Sequence, residues 1–223
     1  MGDSERFPRR AERARATRQR ILRAAIERFV EAGYPATTMV DIAESAGVAV
    51  QTLYASFKTK RAILAAAIDV SLAGDDEPVP VNDRSWMRPV WEAADGPSTL
   101  LAYAGAVRLI QGRTARLFRT LDVAASLEPE LSELWTVSRQ RRRLGAAGVV
   151  RAAAERTPLP AGLDEETAID IVWTLNGHEV YLNLVEGCRW TPPRYEAWLG
   201  ASFVGQLYGV AGLPGQITLK HQR

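Results

Sequence analysis

The sequence predicts an all-α fold, in which a small N-terminal three-helix domain is followed by a larger helical domain. Three observations support this expectation. Apolar residues recur with a helical period along most of the 223 residues. Glycine and proline interrupt the period as they do at helix ends, and no useful length of chain alternates like a strand. Hydrophobic residues make up 47% of the chain, enough for a substantial core. We place the domain boundary between residues 60 and 61, which gives segments 1–60 and 61–223.

A helix is expected over residues 13–32, after a frayed polar arm of residues 1–12. One apolar stripe runs along this helix, because Leu22, Ala25, Ile26 and Phe29 are spaced i, i+3, i+4, i+7. Gly33 is placed to end it.

Two short helices of residues 39–46 and 50–57 follow, separated by a three-residue turn that begins at Gly47. Thr38 is a suitable N-cap for the first of them, with Asp41 as its capping-box acid. A fourth helix begins near Lys60. Beyond a loop rich in glycine, proline and aspartate, we expect helices at 84–94, 98–112, 114–126, 129–156, 164–187 and 192–209.

The segment from Thr37 to Lys60 has the layout of a helix-turn-helix, with two short helices and a small residue in the turn. Leu53 and Phe57 are spaced to face inward, which leaves small polar residues outward on the second helix. Such a face fits the major groove of DNA. Spacing alone equally allows an ordinary helical hairpin.

The expected DNA contacts divide by chemistry. Gln51 can pair with adenine, Thr52 and Ser56 can bond a base or a phosphate, and Ala55 can meet a thymine methyl group. The other candidates suit the phosphate backbone or lie at a helix N-terminus. These are Arg15, Arg18, Thr38, Met39, Val50, Tyr54, Lys58 and Lys60.

Charge is distributed unevenly although the formal net charge is only +2. Residues 1–28 contain nine arginines against four acidic residues, whereas residues 75–95 are acidic. A basic N-terminal segment favours a polyanionic partner, and its alternative is a solvated helix face.

The same residues resemble the tetracycline-repressor-like (TetR/AcrR) family. The resemblance rests on Thr37-Thr38, on residues 42–48 (IAESAGV), on residues 52–57 (TLYASF) and on Lys60. It covers about residues 15–70. It implies a homodimer that binds a palindromic operator on double-stranded DNA, usually as a repressor, and that a small molecule bound in the C-terminal half releases.

Two positions depart from the pattern of that family. Ala49 stands where the family often has serine or threonine as the N-cap of the recognition helix, and alanine cannot cap. Ser56 stands where a larger polar residue is common, so its reach to a base is shorter.

All six tryptophans lie after residue 85, which indicates a core, an interface or an apolar ligand pocket. Core packing is the default interpretation of each one. For a pocket that takes an apolar or aromatic effector, we expect Trp91, Tyr103, Val107, Phe118, Asp122, Trp135, Trp173 and Asn176, with Arg108 and His178 as further polar groups.

The predicted helix 164–187 is apolar on two faces and must therefore be buried on both. We expect one face to pack against a second copy together with the last helix, in a four-helix bundle. The expected dimer contacts are Thr174, Gly177, Tyr181, Leu184, Val185, Trp198, Phe203 and Leu207.

Other function classes find little support in the sequence. His178-Glu179 begins like a zinc-protease motif, but the second histidine is missing because position 182 is leucine. We expect no catalytic residue, metal or cofactor; the main alternative to DNA binding is a protein that only sequesters a ligand. The single cysteine and the lack of a long apolar run predict a cytoplasmic protein without a membrane segment. The run Arg139–Arg143 is interpreted as a solvated face.

Overall fold

The computed structural model describes residues 6–209, with side-chain environments from residue 12 onward. Helices connected by loops and turns make up this part of the chain. The helices are α1 (Arg6–Ala32), α2 (Met39–Ala46), α3 (Val50–Ser56), α4 (Lys60–Ala73), α5 (Arg88–Trp91), α6 (Gly96–Ala125), α7 (Pro129–Arg156), α8 (Glu165–Leu175), α9 (His178–Leu182) and α10 (Pro192–Tyr208). Two 3₁₀ turns precede α5 and a π-helical turn, Asn183–Gly187, follows α9. No strand occurs between residues 6 and 209, which confirms the predicted all-α class.

Two helices are longer than the sequence predicts. Helix α1 begins at Arg6, so the frayed arm is wrong for residues 6–12, while residues 1–5 lie outside the described range. Arginine and alanine are good helix formers, which favours this extension. Helix α6 is continuous where two helices were expected, because Gly112 is accommodated inside it and the Thr114 hydroxyl donates back to the Ile110 carbonyl at 2.8 Å. The expected breaker at residues 212–215 and His221 also lie outside the described range.

Two other predicted helices are broken up. The segment 84–94 forms one 3₁₀ turn, Ser85–Met87, and the four-residue α5. The expected helix 164–187 is interrupted at Asn176 and Gly177, and Gly177 has an extended backbone. The Gln111 side-chain amide donates to the Asn176 carbonyl at 2.6 Å, so a contact from α6 takes up an acceptor at the break.

The buried residues form two clusters. One lies between α6, α7, α8 and α10 and includes Leu100, Val150 and Phe203. The other joins α1–α4 to the C-terminal half of α6, where Leu121 is fully buried. Helix α4 packs against both α1 and α6, so the second core extends across the predicted boundary at residue 60. None of the helices in the described part is both long and apolar enough to cross a bilayer.

Candidate DNA-binding surface and effector site

Both ends of α2 are fixed by residues next to them in the sequence. Asp41 N–H donates to Thr38 Oγ1 at 3.1 Å, and Thr38 N–H donates to the Asp41 carboxylate at 2.8 Å. This confirms the capping box predicted for α2. The backbone N–H and the hydroxyl of Thr38 both donate to the Asp41 carboxylate and hold its pKa below its ordinary value. Gly47 ends α2 with φ of 63°, a left-handed conformation that glycine adopts without strain.

Helix α3 has one buried face and one exposed face. Leu53 and Phe57 are buried in the core of the N-terminal helices. The exposed residues are Gln51, Thr52, Tyr54, Ala55 and Ser56. Ala49 precedes the helix with no side-chain cap, and the Ser56 hydroxyl donates to the Thr52 carbonyl at 3.0 Å. The polar groups expected to face DNA therefore point to solvent from a supported helix.

The residues expected to contact phosphate differ in solvent exposure and in the contacts they make within the chain. Lys58 and Thr38 are exposed, and Met39 and Val50 are partly buried at the starts of α2 and α3. Arg18 is partly buried and its guanidinium lies 4.3 Å from the centre of the Phe57 ring.

Arg15 and Lys60 both make polar contacts with other residues of the chain. Arg15 forms an ion pair with Asp76 at 2.7 Å, which ties α1 to the loop after α4. The Lys60 ammonium donates to the carbonyls of Tyr34 at 2.8 Å and Thr37 at 2.9 Å, and burial lowers its pKa. Both contacts compete with the predicted phosphate contacts of these two residues.

Tyr103 and Asn176, both expected to line the pocket, meet in the interior of the larger domain. The buried Asn176 amide donates to the Tyr103 hydroxyl at 3.0 Å. Arg142 of α7 donates to Asn176 Oδ1 at 2.5 Å. Gln111 reaches the carbonyl of the same asparagine from α6. Side chains of two helices, α6 and α7, therefore converge on the break between α8 and α9.

An aromatic group lies beside this hydrogen-bond network. The rings of Phe118, Trp135 and His178 contact one another, with centroids 5.6–6.4 Å apart. His178 is 3% exposed, and burial lowers its pKa. Phe118 and Trp135 also pack with the core of α1–α4, so this group links the two buried clusters.

Asp122 and His178, two polar groups expected at the pocket, form a titratable group with Glu179, which was not expected there. Atoms of the three side chains lie within 4.8 Å of one another, and His178 Nδ1 is 3.1 Å from Glu179 Oε2. Asp122 lies on α6 and His178 begins α9, so the contact between them cannot be inferred from sequence spacing. Arg142 and Gln111 were missed for the same reason.

Two expected pocket residues, Trp91 and Arg108, are placed elsewhere. The Trp91 indole N–H donates to the Asn82 carbonyl at 2.8 Å, and the Trp91 carbonyl accepts from Arg156. Arg156 is fourteen residues along α7 from Arg142, or about 20 Å. Arg108 pairs with Glu196, whereas Val107 is buried in the same cluster as Tyr103, one turn away on α6. Trp173 is adjacent, since Arg142 stacks 4.8 Å from its ring centre.

The predicted dimer face is partly wrong. Tyr181, Phe203 and Leu207 are buried within the subunit, and Phe203 stacks on Tyr103 at 5.9 Å. A second copy cannot reach them. Gly177 is buried as well, and Leu184 and Val185 are partly buried against the same core. Tyr181 follows the interruption at residues 176 and 177 and faces inward on α9, whereas Phe203 and Leu207 lie on α10, which packs against α6.

Thr174 and Trp198 do reach the surface, on a groove between α8 and α10. The groove has a volume of about 490 Å³. Its lining is a mixture of apolar and small polar residues: Thr167, Asp170, Ile171, Thr174, Leu175, Trp198, Ser202 and Gln206.

Comparisons with known proteins concern the N-terminal helices and the overall fold. The family "Bacterial regulatory proteins, tetR family" matches residues 21–67, from the middle of α1 into α4. The uncharacterized HTH-type transcriptional regulator YdeS of Bacillus subtilis is 32% identical over 162 residues, which are 72% of this chain and 76% of YdeS.

Solved structures share the fold along most of the chain. The transcriptional regulator FadR from Bacillus subtilis, in complex with stearoyl-CoA, has a TM-score of 0.63 at 20% identity, covering 86% of this chain and 98% of FadR. A protein from Saccharomonospora viridis in complex with choline has a TM-score of 0.61 at 16% identity, covering 84% of this chain and 94% of that one. At these identities the similarity concerns the fold.

Proposed function

This chain belongs to the TetR family of bacterial regulatory proteins, and from that premise we propose that it is a homodimeric, ligand-responsive repressor acting in the cytoplasm. The dimer binds a palindromic operator through α3, and a small molecule bound in the larger domain releases it. In this proposal residues 1–60 bind DNA, and residues 61–223 bind the effector and the second subunit.

The observation that carries the proposal is the two-sided character of α3. Leu53 and Phe57 hold the helix to the core, while Gln51, Thr52 and Ser56 face solvent. A helix held in this way presents short polar groups at a fixed angle, as direct readout in the major groove requires. In a symmetric pair, two copies of α3 would occupy successive major grooves about 34–36 Å apart.

The test begins with selection of bound fragments from genomic DNA, followed by titration of the selected site by fluorescence anisotropy. We expect a palindromic site and an affinity that falls steeply with salt concentration. Gln51→Ala should weaken binding to this site roughly 5- to 150-fold, the discrimination that one bidentate base contact provides. Gln140→Ala removes an exposed glutamine from α7 and serves as the control.

Three results would contradict the DNA-binding part of the proposal. They are failure to select any DNA, an affinity independent of salt, and equal effects of the two glutamine variants. The first would indicate a protein that only sequesters a ligand.

The groove between α8 and α10 supports a second copy of the chain as its partner. Ile171, Leu175 and Trp198 are only partly buried there, among small residues that permit close helix approach. Two adjacent helices that both leave such a face uncovered can form a four-helix bundle with a symmetry mate. The same arrangement would fix the distance between the two α3 helices.

Sedimentation of Thr174→Arg tests this interface. A long cation placed at an exposed position in the groove should convert the dimer to a monomer, because burial of an unpaired charge is unfavourable. Thr136→Arg, at an exposed position of α7, is the matched control and should remain dimeric. A dimeric Thr174→Arg protein would exclude this face.

Effector release requires a connection between the interior of the larger domain and α1–α4. The rings of Phe118, Trp135 and His178 lie between the Asn176 network and the core beneath α4. An effector that binds two arrangements of these rings with different affinity would shift the population between two separations of α3. If saturation with a bound small molecule left the operator affinity unchanged, this part of the proposal would fail.

A further inference from the structure

The arginine run of α7 points in several directions. Arg141 pairs with Asp69 of α4 at 3.3 Å, and Arg143 pairs with Glu166 and Asp170 of α8 at 2.8 Å each. Arg139 and Arg142 form no ion pair within residues 12–209. Both lie instead over tryptophan rings: Arg139 is 5.8 Å from the Trp135 centroid and 5.1 Å from that of Trp173.

Arg142 is a partly buried cation without a counterion. Its Nη1 group donates to the Trp173 carbonyl and to Asn176 Oδ1, both neutral acceptors. The negative charge of Glu179 raises the pKa of Arg142, but the Glu179 carboxylate is directed to His178 Nδ1 rather than to the guanidinium. Burial lowers the pKa of Arg142, because removing a charge from water is costly.

One edge of the Arg142 guanidinium remains available. Arginine carries five N–H groups, and the two of Nη1 account for the hydrogen bonds that this side chain makes to the described residues. The Nε and Nη2 groups lie side by side, in the geometry that binds both oxygens of a carboxylate.

Two more buried polar atoms lack hydrogen-bond partners among the described residues: one belongs to Gln111, which contacts Asn176, and the other to Trp173, which contacts Arg142. Gln111 Oε1 accepts none, although this side chain is only 4% exposed and its amide is fixed on the Asn176 carbonyl. Trp173 Nε1 donates none, although the same residue receives Arg142 at its carbonyl. Buried polar groups are normally paired, so a donor, an acceptor and a cation around Asn176 indicate a site built for a polar ligand.

We propose that the effector is an organic anion, a carboxylate with an apolar or aromatic body, and that Arg142 binds its carboxylate. This inference rests on the proposed function and names its ligand class. The carboxylate takes the Nε–Nη2 edge of Arg142 and the Trp173 N–H. A donor group on the ligand can satisfy Gln111 Oε1, and the body packs on Trp135 and Phe118.

Titration of tryptophan fluorescence in the wild-type protein provides the first test. Phenylacetate and octanoate are the anionic probes, and phenylacetamide and octanamide are their neutral analogues. We expect at least one acid to bind roughly 10- to 100-fold more tightly than its amide, the ratio expected for charge-assisted hydrogen bonds. This comparison needs no variant and therefore does not depend on how well a variant folds.

Arg142→Met provides the second test, because it keeps much of the apolar stem and removes the charge. We expect it to lose the preference for acid over amide, and Arg142→Lys to recover part of it. Arg143→Met is the matched control: it removes the next arginine of α7, which already has two acidic partners on the surface, and should retain the full preference.

The outcomes separate this inference from the proposed function. Acid binding that depends on Arg142 and weakens operator binding supports both. Operator binding that neither acid affects, with no acid bound in the millimolar range, overturns the anionic effector and leaves the regulator intact. Arg142-dependent acid binding in a protein that selects no DNA overturns the regulator and leaves the anion site intact. Equal binding of acid and amide overturns the role of Arg142.

Discussion

Replacement of Lys60 by methionine should destabilise the N-terminal helices although the position is on their surface. The ammonium group donates to two backbone carbonyls in the loop between α1 and α2 and lies 4.1 Å from the centre of the Tyr34 ring. Methionine keeps the length of the side chain and removes the donors. The carbonyls of Tyr34 and Thr37 then lose their charged partner.

The expected loss in the free energy of unfolding is about 2–3 kcal/mol. Hydrogen bonds to charged groups contribute roughly 1.5–3 kcal/mol each, and we take less than their sum because Lys60 is only partly buried and water can replace it. For a protein of this length, this corresponds to a fall of about 4–12 °C in Tm. Urea unfolding followed by circular dichroism, at fixed protein concentration, measures it directly.

Lys58→Met is the matched control, because Lys58 is exposed and makes no hydrogen bond with the described residues. Its unfolding free energy should stay within about 0.5 kcal/mol of the wild type, while its affinity for DNA should fall and its salt dependence should weaken by about one phosphate contact. If both variants unfolded at the wild-type midpoint, the structural role of Lys60 would be refuted and its predicted phosphate contact would be the better interpretation.

Three further predictions concern the cap of α3, the core and pH. Ala49→Ser should raise the free energy of unfolding by about 1 kcal/mol, because the backbone already has the extended N-cap conformation and lacks only a side-chain acceptor; an unchanged urea midpoint would show that this helix start is satisfied without one. Phe203→Ala should lower the free energy of unfolding by about 3–5 kcal/mol in the same assay, because this ring is fully buried within the subunit. A variant that unfolds at the wild-type urea midpoint but sediments as a monomer would instead place Phe203 in the dimer interface. Because burial lowers the pKa of His178, the unfolded chain binds a proton more readily than the folded one below the ordinary value of 6.5. Stability should therefore be complete above that pH and decline as the pH falls below it, and His178→Gln should flatten the decline measured by urea titration at a series of pH values.

Local patterns predicted the N-terminal helices well because their determinants are close in sequence. The capping box of Thr38 and Asp41 spans three residues, and Gly47 meets a backbone requirement at its own position. The alternation of buried Leu53 and Phe57 with exposed Gln51 and Thr52 follows from the helical period alone. These interactions need no knowledge of the rest of the molecule.

The sequence by itself determined the all-α class, the helix-turn-helix and the family, since each depends on short-range spacing. In the larger domain, the tertiary structure alone decided which apolar residues face the core of the subunit, because that choice depends on how helices distant in sequence meet. Tyr181 follows the break at Asn176 and is buried within the subunit, and so are Phe203 and Leu207 of α10, which packs against α6. The tertiary structure also brought Arg142 to Asn176, thirty-four residues away in sequence. The charge balance of a buried group depends on every neighbour within a few ångströms, and only the folded chain defines those neighbours.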